Sequence, residues 1–378
     1  MEKRRFPSIG ADISLLGFGA MRFPTKGGPG TPVDVAAAAS LVDRALEGGV
    51  NYFDTAYMYH EGTSEEILGR LLSRHPRSSY YLADKLPIWR AETVQDIDRM
   101  FNEQLERCQT DYFDFYLAHA LDQDLYPKFE ALGAYEILKK KKAQGKIRHL
   151  GFSFHDTPAL LGQILSDHPW DFAQIQLNYL DWNLQDAKTQ YEAITAQGLP
   201  VVIMEPVRGG ALATLSQEAQ NILTAAAPAR SVASWAIRYA ASLPGVITVL
   251  SGMSNMEQLE DNLSTMNPFS PLSPGERTVL DRALAAYLAA GTVPCTGCRY
   301  CMDCPFGVDI PKHFAMYNQF KLDGRAGHLT GTYDYLGAEH QATRCVRCGA
   351  CAPLCPQHIA IPDRLEEVVQ AVAAANAT

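Results

Sequence analysis

Eight of the nine cysteines in this 378-residue sequence fall in two short runs near its end. The first, CTGCRYCMDCP, places Cys295, Cys298, Cys301 and Cys304 at C-x2-C-x2-C-x2-C-P spacing. The second, CVRCGACAPLCP, places Cys345, Cys348, Cys351 and Cys355 at C-x2-C-x2-C-x3-C-P spacing. Thiolates this dense call for a metal or for disulfides. The two-residue spacing lets successive thiolates wrap one face of a cubane, and the proline then turns the chain away. The second run has the bacterial iron–sulfur spacing, in which the fourth cysteine ligates the other cluster of a two-cluster domain. Two 4Fe-4S clusters with crossed ligand sets are therefore expected: Cys295, Cys298, Cys301 and Cys355 on one, and Cys345, Cys348, Cys351 and Cys304 on the other. Structural zinc would ask for separated C-x2-C pairs, with no third cysteine and no proline. Disulfides belong to oxidising compartments, and no apolar h-region follows MEKRRFPSIG.

The first 290 residues hold a single cysteine, Cys108, at the end of a helical pattern, where it reads as core packing. The cysteine module is thus an appendage to something larger. Residues 1–270 read as one domain, 271–290 as a linker and helix, and 291–378 as the cluster domain. A net charge of −9 argues against a nucleic-acid partner. No apolar run reaches the ~18 residues that a membrane-spanning helix needs, and the expected location is cytoplasmic. The basic run Lys139–Lys142 closes a helical pattern, where cations complement the helix dipole, and reads as a solvated helix end.

What must position any chemistry in the larger part is a regular alternation of strands and helices. SLLGFGAM, NYFDTA, YYLADK, YFDFYLAH, RHLGFSF, FAQIQLNYLD, PVVIMEPV and VITVLSG read as strands. Between and after them come eight apolar-periodic helices, from DVAAAASLVDRALEGG to NMEQLEDNLSTM. Eight such units imply a parallel sheet closed into a (β/α)8 TIM barrel of roughly 250 residues. An open doubly wound sheet would open with G-x-G-x-x-G, which GFGAMRF does not provide. After it, ERTVLDRALAAYLAAG reads as a helix leading into the cysteines, and the long gap between the two runs reads as mostly helical.

In such a barrel the working groups sit at the C-terminal ends of the strands. The second strand segment ends in Asp54 with Tyr59 in the loop beyond, the third in Lys85, and the fourth in His119. A phenol titrates near 10 and is a poor proton donor and acceptor at neutral pH unless its surroundings help. An adjacent ammonium favours the phenolate, and a carboxylate beside the lysine holds the ammonium in place.

Asp54, Tyr59, Lys85 and His119 resemble the tetrad of the aldo-keto reductase superfamily. FDTAYMYHEGTSEEILGRLL is similar to that family's segment after strand two, and DFYLAH to its strand four. With the cysteine runs added, the whole chain resembles the iron–sulfur group of that superfamily. The resemblance implies Tyr59 as proton donor to a carbonyl oxygen, Lys85 and Asp54 as its tuning pair, and His119 as the group that orients the carbonyl. It places Ser153 and Gln174 on a nicotinamide carboxamide, with Phe154 where the family has Asn. It places Met204 where an aromatic usually stacks on the ring, and Asp261 and Asn262 on the adenine side. Glu205 and Arg208 follow at a strand end and read either as phosphate or substrate contacts or as a surface ion pair. Gly252 and Gln258 stand where basic residues clamp the NADP 2′-phosphate, so NAD rather than NADP is favoured.

The expected activity is therefore NAD(P)-dependent interconversion of a small-molecule carbonyl and an alcohol, with the clusters for electron transfer to a redox partner protein. Two other readings stay open. One is a flavin-containing electron-transfer reductase that exchanges electrons with an external ferredoxin, for which Phe154 and Met204 leave room. The other is a non-catalytic scaffold stabilised by clusters. His155 faces the same mouth and reads as a loop histidine or a second acid.

Overall fold

The computed structural model describes residues 1–28, 30–302 and 304–376. The last two residues of the expected cluster domain, 377 and 378, lie outside the described residues. The chain forms two compact units, one of Met1–Pro206 with Ala236–Leu272 and one of Val207–Trp235 with Ser273 onward.

The first unit is a closed barrel of eight parallel strands: β1 (Leu16–Gly19), β2 (Tyr52–Asp54), β3 (Tyr81–Leu86), β4 (Phe113–Leu121), β5 (Ile147–Phe154), β6 (Phe172–Gln176), β7 (Val201–Met204) and β8 (Val246–Ser251). Each strand pairs with the next, and β8 closes on β1 through Val249↔Leu16 and Ser251↔Phe18. The expected TIM barrel is thus the fold of this unit. The strands are buried along nearly their whole length, as parallel strands covered by helices must be.

An N-terminal hairpin, Lys3–Arg5 against Asp12–Ser14, precedes the barrel and was not anticipated from the sequence. Its Ile9 and Ile13 share one buried cluster with Tyr52, Phe115, Phe172, Val202 and Ile247. Apolar side chains therefore plug the barrel at the strand starts, and the polar chemistry is left to the strand ends.

Local rules account for the helices. Asp34 accepts from the amides of Ala36 and Ala37 and caps Val35–Glu47, whose Ala38, Leu41, Val42 and Ala45 are buried at helical spacing. Thr93 and Asp96 form a capping box on Val94–Arg107. The helix Ser64–Leu72 approaches that one so closely at Gly69 that a Cβ there would lie 2.6 Å from the backbone of Arg107 and Cys108. The basic run is less solvated than its composition implies. Lys141 is buried, with its ammonium 4.6 Å from the centre of the Phe101 ring and 2.5 Å from Asp98.

The second unit is mostly helical, as expected. Gln217–Ala226, a helix absent from the sequence reading, packs on Pro274–Ala289 and draws residues 207–235 into this unit. Ile310–Asp323, Ala326–Tyr335 and Ile361–Asn376 bury Phe314, Leu329, Tyr333, Leu365 and Val368 in a core to which the cysteines attach. His313 and His340 are structural here: His313 Nε2 lies 3.0 Å from the His340 carbonyl, and His340 Nδ1 lies 2.8 Å from that of Gly307. Among the described residues no helix is long and apolar enough to cross a membrane.

Candidate active site and cluster cradles

Three strand ends, with the loop after β2, build the polar mouth of the barrel. Lys85, fully buried in β3, donates to Asp54 Oδ1 at 2.6 Å and to the Thr55 carbonyl at 2.6 Å. It also donates to the Tyr59 hydroxyl at 3.4 Å. Tyr59 sits in the loop after β2, where its carbonyl accepts from the amides of Gly62 and Ser64. The Thr55 and Ser64 hydroxyls, 2.9 Å apart, close the base of that loop. His119 lies where the β4–β5 register shifts between Ala118 and Leu121, and the next residue, Ala120, has a φ of 53°. Such a bulge re-aims a side chain, and the His119 ring meets the Tyr59 ring edge-on at 6.3 Å. The four tetrad residues are thus brought together.

Burial sets their protonation. Desolvation comes first for Tyr59, and the charges of Asp54, Glu205 and Asp84 add to it, so the phenol is held well above its usual value. The expected lowering by Lys85 does not prevail. His119 is held well below the ordinary histidine value, first by burial and then by Lys85 and His155, and it is neutral at pH 7. Asp54 is raised by burial against the opposing pull of Lys85.

Behind Lys85 lies a buried network that the sequence did not announce. Gln104 donates to the Lys85 carbonyl at 3.0 Å and to Glu65 at 2.9 Å, and it accepts from the Tyr116 hydroxyl at 2.5 Å. Arg107 donates to the other Glu65 oxygen at 2.9 Å. Asp84 is raised well above the usual carboxyl range by burial and by Glu65. Cys108, buried as expected, directs its thiol at Asp84 from 3.7 Å.

Along the wall of the mouth, Ser153 Oγ accepts from the Ala120 amide at 2.7 Å, which leaves its hydroxyl hydrogen free to donate. Gln174 Nε2 lies 3.5 Å from the Met204 sulfur, and its buried Oε1 has no partner. An orphaned buried acceptor is costly, and a carboxamide donor would satisfy it. These residues therefore fit the nicotinamide end of a dinucleotide. Phe154 is buried, edge-on to Phe152 at 6.5 Å. Asn262 is tied to the Ser251 hydroxyl at 2.9 Å, and Asp261 precedes it on Met256–Met266.

Arg22, which the sequence reading passed over, reaches Glu205 at 3.7 Å. Its stem lies 3.0–3.2 Å from where a Cβ on Gly252 would stand, so a side chain at position 252 would require that stem to give way by a few tenths of an ångström. Gln258 is spent on the Ser254 amide at 2.8 Å. Trp89, also unanticipated, sits 5.1 Å from the His119 ring. Arg208 is buried within the second unit, donating to the Pro294 carbonyl at 2.6 Å and to Gln357 Oε1 at 2.7 Å.

In the second unit the eight cysteines fall into two sets. Cys295, Cys298, Cys301 and Cys355 line one cavity with Thr296, Arg299 and Phe314. Cys304, Cys345, Cys348 and Cys351 line another with Phe306 and Val346, and Cys301 and Leu354 border both. Burial, followed by the charges of Cys298, Cys295 and Cys355, pushes the Cys301 thiol to about 12. Cys351 is raised by burial and then by Cys345, Cys304 and Cys348. Among the described residues no three His, Cys, Asp or Glu converge on a single-ion site. Four thiols set around a void suit a cage such as a 4Fe-4S cubane.

Comparison with known proteins agrees with this geometry. The model of the aldo/keto reductase family matches residues 15–284, and that of the 4Fe-4S dicluster domain matches residues 294–360. An L-galactose dehydrogenase of Arabidopsis thaliana is 25% identical over 304 residues, covering 74% of this chain and 92% of its own. The NADH-specific methylglyoxal reductase of Escherichia coli is 24% identical over 309 residues, covering 70% and 94%. Among solved structures, the holo form of aldo-keto reductase AKR11C1 from Bacillus halodurans superposes with a TM-score of 0.61 at 26% identity, covering 75% of this chain and 96% of that one. With a barrel tetrad in register and two thiol-lined cavities behind a matching domain model, the chain belongs to the aldo/keto reductase family as an oxidoreductase that carries a 4Fe-4S dicluster domain.

Proposed function

We propose that the barrel interconverts a small-molecule carbonyl and its alcohol with a nicotinamide cofactor, NAD rather than NADP, and that the thiol sets hold two 4Fe-4S clusters in the crossed pattern. The observation that carries the first part is the Lys85 ammonium, seated on Asp54 at 2.6 Å and 3.4 Å from the Tyr59 hydroxyl, with His119 beside that phenol.

A bound nicotinamide supplies or accepts the hydride. In the reducing direction neutral His119 orients the carbonyl oxygen, and Tyr59, protonated at neutral pH, delivers the proton to that oxygen. Lys85, locked by Asp54 and the Thr55 carbonyl, holds the phenol in position and offsets the negative charge it gains on giving up its proton. The Ser153 hydroxyl and Gln174 Oε1 would hold the carboxamide, with Met204 on the ring side and Asp261 and Asn262 on the adenine side. NAD preference rests on Gly252 and Gln258, which offer no cation, and on Arg22 being engaged by Glu205.

Clusters pass one electron at a time, whereas a hydride carries two. The cluster ligated by Cys304, Cys345, Cys348 and Cys351 is assigned to a redox partner protein, because Cys348 and Val346 are exposed there. A flavin in the barrel mouth is the second reading, favoured by Met204, a thioether where a stacking aromatic would stand. Iron, sulfide, flavin and nicotinamide assayed on one anaerobic preparation separate the two. Tyr59→Phe tests the tetrad: reduction of an aldehyde by NADH should fall by roughly 100-fold or more, as loss of a general acid demands, and undiminished turnover would overturn the assignment.

A further inference from the structure

We infer that Arg208 is a positioning and potential-setting residue for the cluster of Cys295, Cys298, Cys301 and Cys355, and not a ligand of the nicotinamide phosphates. The inference rests on the reading that these cysteines hold a 4Fe-4S cluster.

Arg208 is 1% exposed and among the largest fully buried side chains of the molecule. Its two terminal nitrogens grip the two ends of one ligand set. Nη1 donates at 2.6 Å to the carbonyl of Pro294, the residue before Cys295, and Nη2 donates at 2.7 Å to Gln357, two residues beyond Cys355. The acceptor Gln357 is itself buried, as is Thr296 next to Cys295. The turn that delivers the guanidinium is costly: Arg208 has a φ of 50°, and Gly209 and Gly210 follow at 64° and 100°. A non-glycine residue persists in that region only where its surroundings over-determine it. Three successive left-handed residues after strand β7 aim a permanent cation between the outermost cysteines of a set that are 60 residues apart in the chain.

Two consequences follow from the chemistry. A guanidinium stays charged at any accessible pH, and adding an electron to a cluster makes it more negative, so a buried cation nearby favours the reduced form. A unit charge ~10 Å from a redox centre, at an effective dielectric near 20, shifts a one-electron equilibrium by about tenfold. The fork also fixes the loops that carry Cys295 and Cys355. A lysine keeps the charge but reaches only one of the two acceptors.

The test is an anaerobic redox titration of the holoprotein followed by paramagnetic resonance, with Cys355→Ser identifying the wave of the first cluster. In Arg208→Gln that wave should move negative, the reduced-to-oxidised ratio at fixed poise falling about tenfold, which is about 59 mV for one electron. The other wave should hold, and Arg208→Lys should stay near the unsubstituted protein. Should Arg208→Gln fail to keep its iron, loss of the first cluster alone, about half of the iron, supports the positioning role. Both waves unmoved with full iron would overturn the inference, as would loss of both clusters together or an Arg208→Lys shift as large as that of Arg208→Gln. Weaker NADH binding with unmoved potentials would return Arg208 to the nicotinamide. Absence of both waves before any substitution would instead strike the parent reading.

Discussion

Lys85→Met removes the cation on which the mouth of the barrel is built, and its cost follows from what it leaves behind. Asp54 is 3% exposed, its Oδ1 loses the 2.6 Å donor, and its Oδ2 has no partner at all. Breaking a buried ion pair from one side costs about 3–5 kcal/mol, because the surviving charge is stranded. Asp54 can escape by taking a proton. A carboxyl starts near 3.9 and each pKa unit is worth about 1.36 kcal/mol, so staying neutral at pH 7 costs at most about 4 kcal/mol. The two routes agree on roughly 3–4 kcal/mol. For a barrel of this size that is a fall in Tm of about 6–16 °C.

The sign of the pH dependence is fixed as well. In the folded protein Asp54 is already raised by burial, and Lys85 pulls it down; without the lysine it rises further. A carboxyl raised on folding contributes stability that is present below its unfolded value and lost as pH rises through its folded value. The gap between variant and unsubstituted protein should therefore be small near pH 5 and widen toward pH 8. Urea unfolding followed by circular dichroism at several pH values measures it. A gap under about 1 kcal/mol at pH 7, or one that does not change between pH 5 and pH 8, would refute the stranded-charge argument.

Two further outcomes are expected. Cys304→Ser should weaken the cluster served by the second run while sparing the first, and Cys355→Ser should do the reverse; iron content and resonance spectra that change alike in both variants would refute crossed ligation. Because burial and the charges of Asp54, Glu205 and Asp84 hold Tyr59 protonated, kcat/KM for carbonyl reduction should be flat from about pH 6 to pH 9, while alcohol oxidation, which needs the phenolate, should climb toward pH 10 and beyond. A reductive profile that falls through pH 7–8 would show that Lys85 governs the phenol after all.

The sequence revealed those features in which residue type and spacing are dictated by local geometry. The eight strand–helix units, the tetrad at the strand ends and the two thiol runs all belong to that class, because period and position alone specify them. It concealed the features in which a polar residue is buried by tertiary packing. Glu65 and Glu66 open a helix and read as acids complementing its dipole, yet Glu65 is fully buried against Gln104 and Arg107 while its neighbour faces outward. The same blindness hid Lys141 on Phe101, and Arg22, whose stem packs closely over Gly252. The helix Gln217–Ala226 did have a legible start, since Ser216 accepts from the Ala219 amide.

These buried polar residues share a purpose that explains their cost. Gln104, Glu65 and Arg107 brace the backbone carbonyl of Lys85 from behind, while Asp54 and the Thr55 carbonyl fix its ammonium in front. A lysine has four rotatable side-chain bonds, and immobilising such a chain costs up to about 2 kcal/mol of conformational entropy. Bracing both ends pays this during folding, so the phenol and imidazole face their substrate with the ammonium already in place.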